Sequence, residues 1–252
     1  MNELKMSHRY LLKIAYDGTR FSGWQVQPKK QTIQGELEQL ITKMMSTDFI
    51  RIEASGRTDT GVHARIQVAH VDLPRKIDPV YFLNGLNAQL PGDIRVKFIK
   101  KVSNRFHARF DAKGKEYRYL IDNSKILSPS LRKYRFHEHR KLNVLQMQNA
   151  ANFLVGHHDF ASFSSMRCFA NEDTVRDLTD LVVIRRGSQI VIKAKANGFL
   201  YKMVRSIAGY LIEVGLGRFD PNDTKEILDR KKRKADVKTA QPQGLFLWNV
   251  FY

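Results

Sequence analysis

The residues best suited to chemistry lie at positions 53–70, in the stretch EASGRTDTGVHARIQVAH. One acid, Asp59, stands between Arg57 and Arg65, with Gly56 and Gly61 beside it. Glycine opens backbone angles closed to other residues and lets a ligand approach the main chain. Nearby arginines favour a carboxylate over a carboxylic acid, and a carboxylate can serve as nucleophile or general base. The bland alternative is that Asp59 caps a turn by bonding its own backbone, as loop Asp often does. Asp59-Thr60-Gly61 also spells the tripeptide of aspartic proteases, which need two carboxylates sharing one proton. No second copy of the tripeptide occurs, and Arg57 would oppose a shared proton. The protease reading fails.

Other candidates are weaker. Tyr117 and Tyr119 alternate with Arg118 on a strand-like segment, so the two rings share one face. They are either core aromatics or, in a nucleic-acid binder, rings on which a base stacks. Arg205, with Lys202 and Ser206, falls on the polar side of an otherwise apolar helical pattern. The run KKRK at 231–234 is either solvated helix-end surface or a nucleic-acid patch. His157-His158-Asp159 is a ligand-like cluster, but adjacent histidines on a strand point apart, which favours a structural or RNA-facing role. The single cysteine, Cys168, excludes an intramolecular disulfide and a Cys-based zinc site. With no Gly-rich phosphate loop, dinucleotide fingerprint or metal-ligand set, no cofactor and no metal are expected.

The bulk charge narrows the partner. Lys plus Arg number 43 against 25 for Asp plus Glu, a net charge of +18, more than solubility asks of 252 residues. Such a field favours a polyanion, RNA or DNA first. No basic amphipathic helix supports a membrane surface as partner. The N-terminal MNELKMSHRY lacks the apolar core of a signal peptide, and no apolar run reaches membrane-spanning length. A soluble, cytoplasmic protein is the expectation.

The elements that must position these residues follow from periodicity. Residues 9–16 read as a strand ended by the turn pair Asp17-Gly18. Thr32 is an N-cap for a helix whose apolar positions are Ile33, Leu37, Leu40, Ile41 and Met44. After the Asp59 loop, residues 66–71 alternate as a half-buried strand. Asp78-Pro79 opens a short helix, and 93–102 alternate as another strand. In the second half, 115–122, 174–184, 189–196 and 244–252 read as strands, with 106–110 as the approach to the first of them. Residues 145–154, 199–214 and 224–230 read as helices, with Leu145, Ala150, Phe153 and Leu154 facing a core. The order of elements suggests an α+β fold of two RRM-like or ferredoxin-like α/β halves, an N-terminal domain at 7–104 and a C-terminal domain at 105–252.

Many short motifs together make the chain resemble the TruA family of tRNA pseudouridine synthases, from about Arg9 to Tyr252. They are Tyr16-Asp17-Gly18-Thr19 with Gly23-Trp24-Gln25, the segment TIQGELE at 32–38, GRTDTGVHA at 56–64, FHAR at 106–109, and KEYRY at 115–119. His158-Asp159-Phe160, FLYKMVR at 199–205 and Gly244-Leu245 complete the set. Thr60 stands where many members carry Ala, and Gln241 interrupts the usual Ala-Pro-Pro; neither is a proposed catalytic residue. The resemblance implies a pseudouridine synthase fold whose halves pack around a central basic cleft, and a homodimer gripping tRNA to present the 3′ side of the anticodon stem-loop. It implies Asp59 as the catalytic residue, Tyr117 packing on the target uracil, and Arg205 pairing with the catalytic carboxylate. Leu245 would line the uracil pocket, and Arg57 would enter the RNA and hold the flipped nucleotide. Two rivals remain from other classes. A catalytically idle tRNA-binding protein would share the basicity, but has no reason to keep Asp59 in an RNA cleft, where it repels phosphate. A methyltransferase would need a Gly-rich loop after its first strand, which Asp17-Gly18-Thr19 does not supply.

Overall fold

The computed structural model describes residues 7–165 and 173–252, so Cys168 and the first six residues lie outside the described part. In chain order the elements are β1 (His8–Tyr16), α1 (Ile33–Met45), β2 (Ile52–Ala54), β3 (His63–Leu73), α2 (Pro79–Gln89) and β4 (Ile94–Lys101). There follow β5 (Gly114–Asp122), β6 (Phe136–His137), α3 (Val144–Leu154), β7 (Gly156–Asp159), β8 (Val175–Arg186) and β9 (Gln189–Ala196). Last come α4 (Met203–Gly215), α5 (Asp223–Asp229) and β10 (Leu245–Phe251). The chain forms two compact units. One takes the residues up to Lys113 together with Leu247–Tyr252, and the other takes Gly114–Phe246.

The first unit runs β-α-β-β-α-β before its terminal strand returns. β1 is central, antiparallel to β3 on one side and to β4 on the other, and β3 also pairs with β2 and with β10. The three-residue β2 leaves too short a pattern to be read from sequence. Alternation along β1 buries Tyr10, Leu12, Ile14 and Tyr16 on one face. α1 and α2 supply Ile33, Leu37, Ile41, Phe82 and Leu86 to the core. Both helix starts are set by local chemistry. Thr32 accepts from the Gly35 N–H at 3.2 Å, and Asp78 accepts from Val80 and Tyr81 with Pro79 at the first helical position. The buried stripe of α1 is Ile33, Gln34, Leu37, Glu38, Ile41 and Met45; Leu40 and Met44, expected inward, are only half-buried. Gln34 and Glu38 replace them because β2 needs partners: Glu38 accepts the Ile52 N–H at 2.9 Å and Gln34 donates to the Ile52 carbonyl at 3.0 Å.

In the second unit β5 pairs with β9, β9 with β8 and β8 with β7, all antiparallel, and the two-residue β6 lies parallel to β5. β8 and β9 turn through Gly187, at φ +59°, as the Gly-Ser pair suggests. α3 packs on β8 and α4. Its buried residues are Met147, Ala150, Ala151 and Leu154. Leu145 is 69% and Phe153 38% exposed, against expectation: Ala151 and Met147 set the buried stripe, and both large side chains fall outside it. α4 begins at Met203 rather than at 199, because Lys202 takes the left-handed conformation at φ +60°, which a helix interior does not allow. Ahead of β5, residues 108–110 form a turn.

Candidate active site

Asp59 lies half-buried in the loop between β2 and β3. The loop is anchored along its length. At its start, the Ser55 hydroxyl donates to Gln67 Oε1 at 2.7 Å and Gln67 Nε2 donates to the Gly56 carbonyl at 2.9 Å. In the middle, the Thr58 hydroxyl is bonded to the Tyr16 hydroxyl at 2.8 Å, and the Thr58 carbonyl accepts the Trp24 N–H at 3.1 Å. After Asp59 the chain turns back at once, with the Val62 N–H donating to the Asp59 carbonyl at 3.1 Å and Gly61 at φ +76°. Such a turn favours glycine at its third position. At the far end the Gly18 N–H donates to His63 Nδ1 at 3.0 Å. The carboxylate is therefore carried on a short crest between fixed points. Burial pushes the Tyr16 hydroxyl well above its ordinary pKa, so it remains a neutral bonding partner for Thr58 at every physiological pH.

Close approach makes this possible. A Cβ on Gly23, at φ +87°, would stand 2.6 Å from the Thr58 carbonyl oxygen, and one on Gly18 would stand 2.0 Å from that of Val62. Trp24, whose exposure the sequence left open, is buried, with its ring 5.9 Å from that of Tyr16. Tyr16, Gly18, Gly23 and Trp24 belong to motifs conspicuous in the sequence, yet nothing local ties them to Asp59. Gln67 was equally hidden: a polar residue in an alternating strand suggests an exposed position, but Gln67 is buried, as is His70 on the opposite face, because β3 is covered on both faces. Arg57 is exposed. Arg65 lies over the Trp248 ring at 4.6 Å, a cation–π contact.

The second unit holds the remaining candidates. Tyr117 and Tyr119 share one face of β5. Tyr119 is fully buried and donates to the Gln241 carbonyl at 2.9 Å. Tyr117 meets Phe199 edge-on, ring centres 5.2 Å apart at 85°. Arg205, in the first turn of α4, donates from Nε to the Ala240 carbonyl at 2.8 Å, while its own carbonyl accepts the Ala240 N–H at 2.9 Å. Its guanidinium plane is thus set by a strap of main chain at 237–241. That strap runs through a short turn at Pro242–Gly244 into Leu245, which is buried at the start of β10. Gly244 is in close contact with the Tyr119 ring, since a Cβ there would stand 2.8 Å from it. Tyr119, Arg205 and Leu245 are joined through this one segment, whereas Asp59 and Arg57 belong to the first unit.

Among the described residues, Glu53, His70 and His107 group their ligand-type atoms within 4.8 Å. The hydrogen bonds argue against a metal there. Both imidazoles accept backbone N–H groups at Nδ1, from Ala108 in one case and from Arg109 and Phe110 in the other. Each neutral ring then carries its proton at Nε2, and His107 presents that nitrogen to Glu53 at 3.0 Å. Burial, with Arg9 and His107 adding to it, lowers His70 to about 4. His157-His158-Asp159 lines an open hollow of about 290 Å³. There His158 bonds the Val155 carbonyl, and Asp159 accepts from Ala161 and Thr174, a structural use. No helix among the described residues is long and apolar enough to cross a membrane.

Known proteins bear directly on this geometry. Residues 13–111 and 150–252 match the family model described as tRNA pseudouridine synthase. The chain is 45% identical over 239 residues to the tRNA pseudouridine synthase A of Brevibacillus brevis, covering 95% of this chain and 97% of that one. With that of Oceanobacillus iheyensis it shares 43% identity, covering 95% of this chain and 94% of the other. The Listeria monocytogenes protein of the same name is 43% identical over 97% of this chain and 99% of its own. The matched stretches take in the Asp59 crest and every element that anchors it, and on that footing the chain belongs to the tRNA pseudouridine synthase family.

Proposed function

We propose that this protein is an isomerase that converts uridine to pseudouridine in tRNA, with Asp59 as the catalytic carboxylate. The observation that carries the reading is an acid held on a doubly anchored crest in a chain of net charge +18. A protein that only binds RNA gains nothing from fixing an anion in place. In the reaction the N1–C1′ bond breaks, the uracil turns, and C5 bonds to C1′. C5 loses its proton to water and N1 gains one, so no redox partner or energy source is consumed. Asp59 opens this sequence either by attacking C1′ as nucleophile or by taking the 2′ proton as base. Both routes need one positioned carboxylate, and the anchoring of the crest supports Asp59 in that part.

Tyr117, Arg205, Arg57 and Leu245 act on the substrate in this reading. Tyr117 packs against the uracil and Leu245 lines its pocket. Arg205 supplies the cation for the negative charge of the reaction, its orientation set by Ala240. Arg57, exposed, enters the RNA and holds the nucleotide that has left its stack, an extrusion that costs a few kcal/mol. The substrate region is the 3′ side of the anticodon stem-loop, and the working form is a homodimer that grips one tRNA with its basic surfaces. Binding of this kind weakens steeply with salt, as counterions are released from the phosphates.

The test is release of tritium from tRNA labelled at uracil C5, with wild type and Asp59→Asn side by side and tRNA affinity measured on both. Wild type releases tritium, while Asp59→Asn releases none and still binds. A folded wild type that binds tRNA and releases nothing across a broad set of tRNAs would return the protein to the class of idle RNA binders.

A further inference from the structure

The run KKRK at 231–234 looks uniform in sequence, but the fold divides it. Lys232 and Lys234 are exposed, while Arg233 turns inward. Its guanidinium donates four hydrogen bonds, all to neutral oxygens: the Ser164 carbonyl at 3.1 Å, the Ser206 hydroxyl at 2.6 Å, the Val237 carbonyl at 2.6 Å and the Thr239 hydroxyl at 2.8 Å. Burial lowers its pKa from the ordinary arginine value. A cation that gives up solvent for carbonyls and hydroxyls costs stability unless its geometry is needed.

The partners indicate what the geometry serves. Ser206 is the residue after Arg205 and is fully buried in the first turn of α4. Val237 and Thr239 lie on the strap whose next residue, Ala240, is bonded twice to Arg205. The strap crosses α4 so closely that a Cβ on Gly209 would stand 2.2 Å from the Lys238 carbonyl oxygen. Arg233 therefore ties the helix turn carrying Arg205 to the strap that orients its guanidinium. We infer that Arg233 is a positioning residue for Arg205, fixing the helix turn and the strap in one register, rather than a contact for RNA phosphate. The inference rests on the substrate role proposed above for Arg205.

Arginine's planar fork reaches both sides of this junction, which a lysine's single ammonium cannot do. The experiment compares wild type, Arg233→Lys, Arg205→Met and the double variant. Single-turnover tritium release is measured at saturating tRNA, tRNA affinity over a salt series, and all assays run well below each variant's unfolding midpoint. Arg233→Lys is expected to lower the single-turnover rate by roughly 10- to 100-fold, the range reached when a reacting group is misplaced by about 1 Å. Affinity and its salt slope should stay as in wild type. In the Arg205→Met background the same change should add little, since its effect passes through Arg205. Two results overturn the inference: a wild-type rate in folded Arg233→Lys, or additive rate losses in the double variant. An Arg233→Met variant, run alongside, separates the phosphate reading, which requires weaker binding and a salt slope smaller by about one. If Arg205→Met alone leaves the rate intact, the role of Arg205 fails, and that outcome is distinct from failure of the Arg233 link.

Discussion

Replacing Gly23 by alanine tests whether the framework beneath the Asp59 crest controls the chemistry. The added Cβ would meet the Thr58 carbonyl oxygen at 2.6 Å and the Asp59 carbonyl carbon and Thr60 nitrogen at 3.2 Å. Ordinary contact begins near 3.4 Å, so Thr58 must retreat by roughly 0.8 Å. These are backbone atoms and cannot swing aside as a side chain would. Two costs add. Holding a non-glycine residue at φ +87° costs about 1–2 kcal/mol, and overpacking a close contact costs about 1–3 kcal/mol more. For a chain of this size, the sum lowers the unfolding midpoint by on the order of 10 °C. The displacement falls on the residues either side of the carboxylate, and a shift approaching 1 Å at a reacting group can cost about 100-fold in rate. Tritium release under single-turnover conditions, circular-dichroism melts and tRNA affinity together give the answer. The expected pattern is a slower rate, a lower midpoint and unchanged affinity. A folded Gly23→Ala protein with the wild-type rate would refute the dependence of Asp59 on this approach.

Two further outcomes follow from the same unit. Tyr16→Phe removes the hydroxyl partner of Thr58 and leaves a buried polar oxygen without it, for a loss of about 1–3 kcal/mol; urea unfolding should show that loss, and equal stability would mean that Thr58 finds another partner. His70 is held neutral, its folded value lowered to about 4 by burial, then by Arg9 and His107, with Glu53 and Asp72 pulling the other way. The unfolded histidine titrates near 6.5. Between those values the unfolded chain binds the extra proton, so this contribution is fully present above pH ~6.5 and is lost as pH falls toward 4. Discounted for solvent screening, its size is on the order of 1 kcal/mol. His70→Asn, which keeps an acceptor for the Ala108 N–H, should show a flatter fall in stability across that window than wild type, and parallel profiles would count against the assignment.

Particular residues show how far sequence reaches. Thr32 and Asp78-Pro79 announce their helices because capping is satisfied within a few residues. Gly187 announces its hairpin for a similar local reason. Asp59 stood out through its own neighbours, and its loop is where the pattern places it. Other features depend on partners far along the chain. Gln67 reads as the exposed residue of an alternating strand, yet it is buried because Ser55 and Gly56 take its amide. Leu145 and Phe153 read as core, yet the phase of α3 is chosen by its packing on β8 and α4. Arg233 reads as one of four surface cations, and only its bonds to Ser164, Ser206, Val237 and Thr239 set it apart.

Composition and local pattern are enough for the α+β class, the basic character and the choice of Asp59 as the candidate acid. Composition, period and turn chemistry are properties of neighbouring residues and survive without a fold. Long-range contacts set how that acid is held, how the guanidinium of Arg205 is oriented, and which cation turns inward. Each of those depends on hydrogen bonds and close approaches between residues distant in the chain, such as Tyr16 with Thr58 and Arg233 with Ser164. Local pattern carries no record of such pairs.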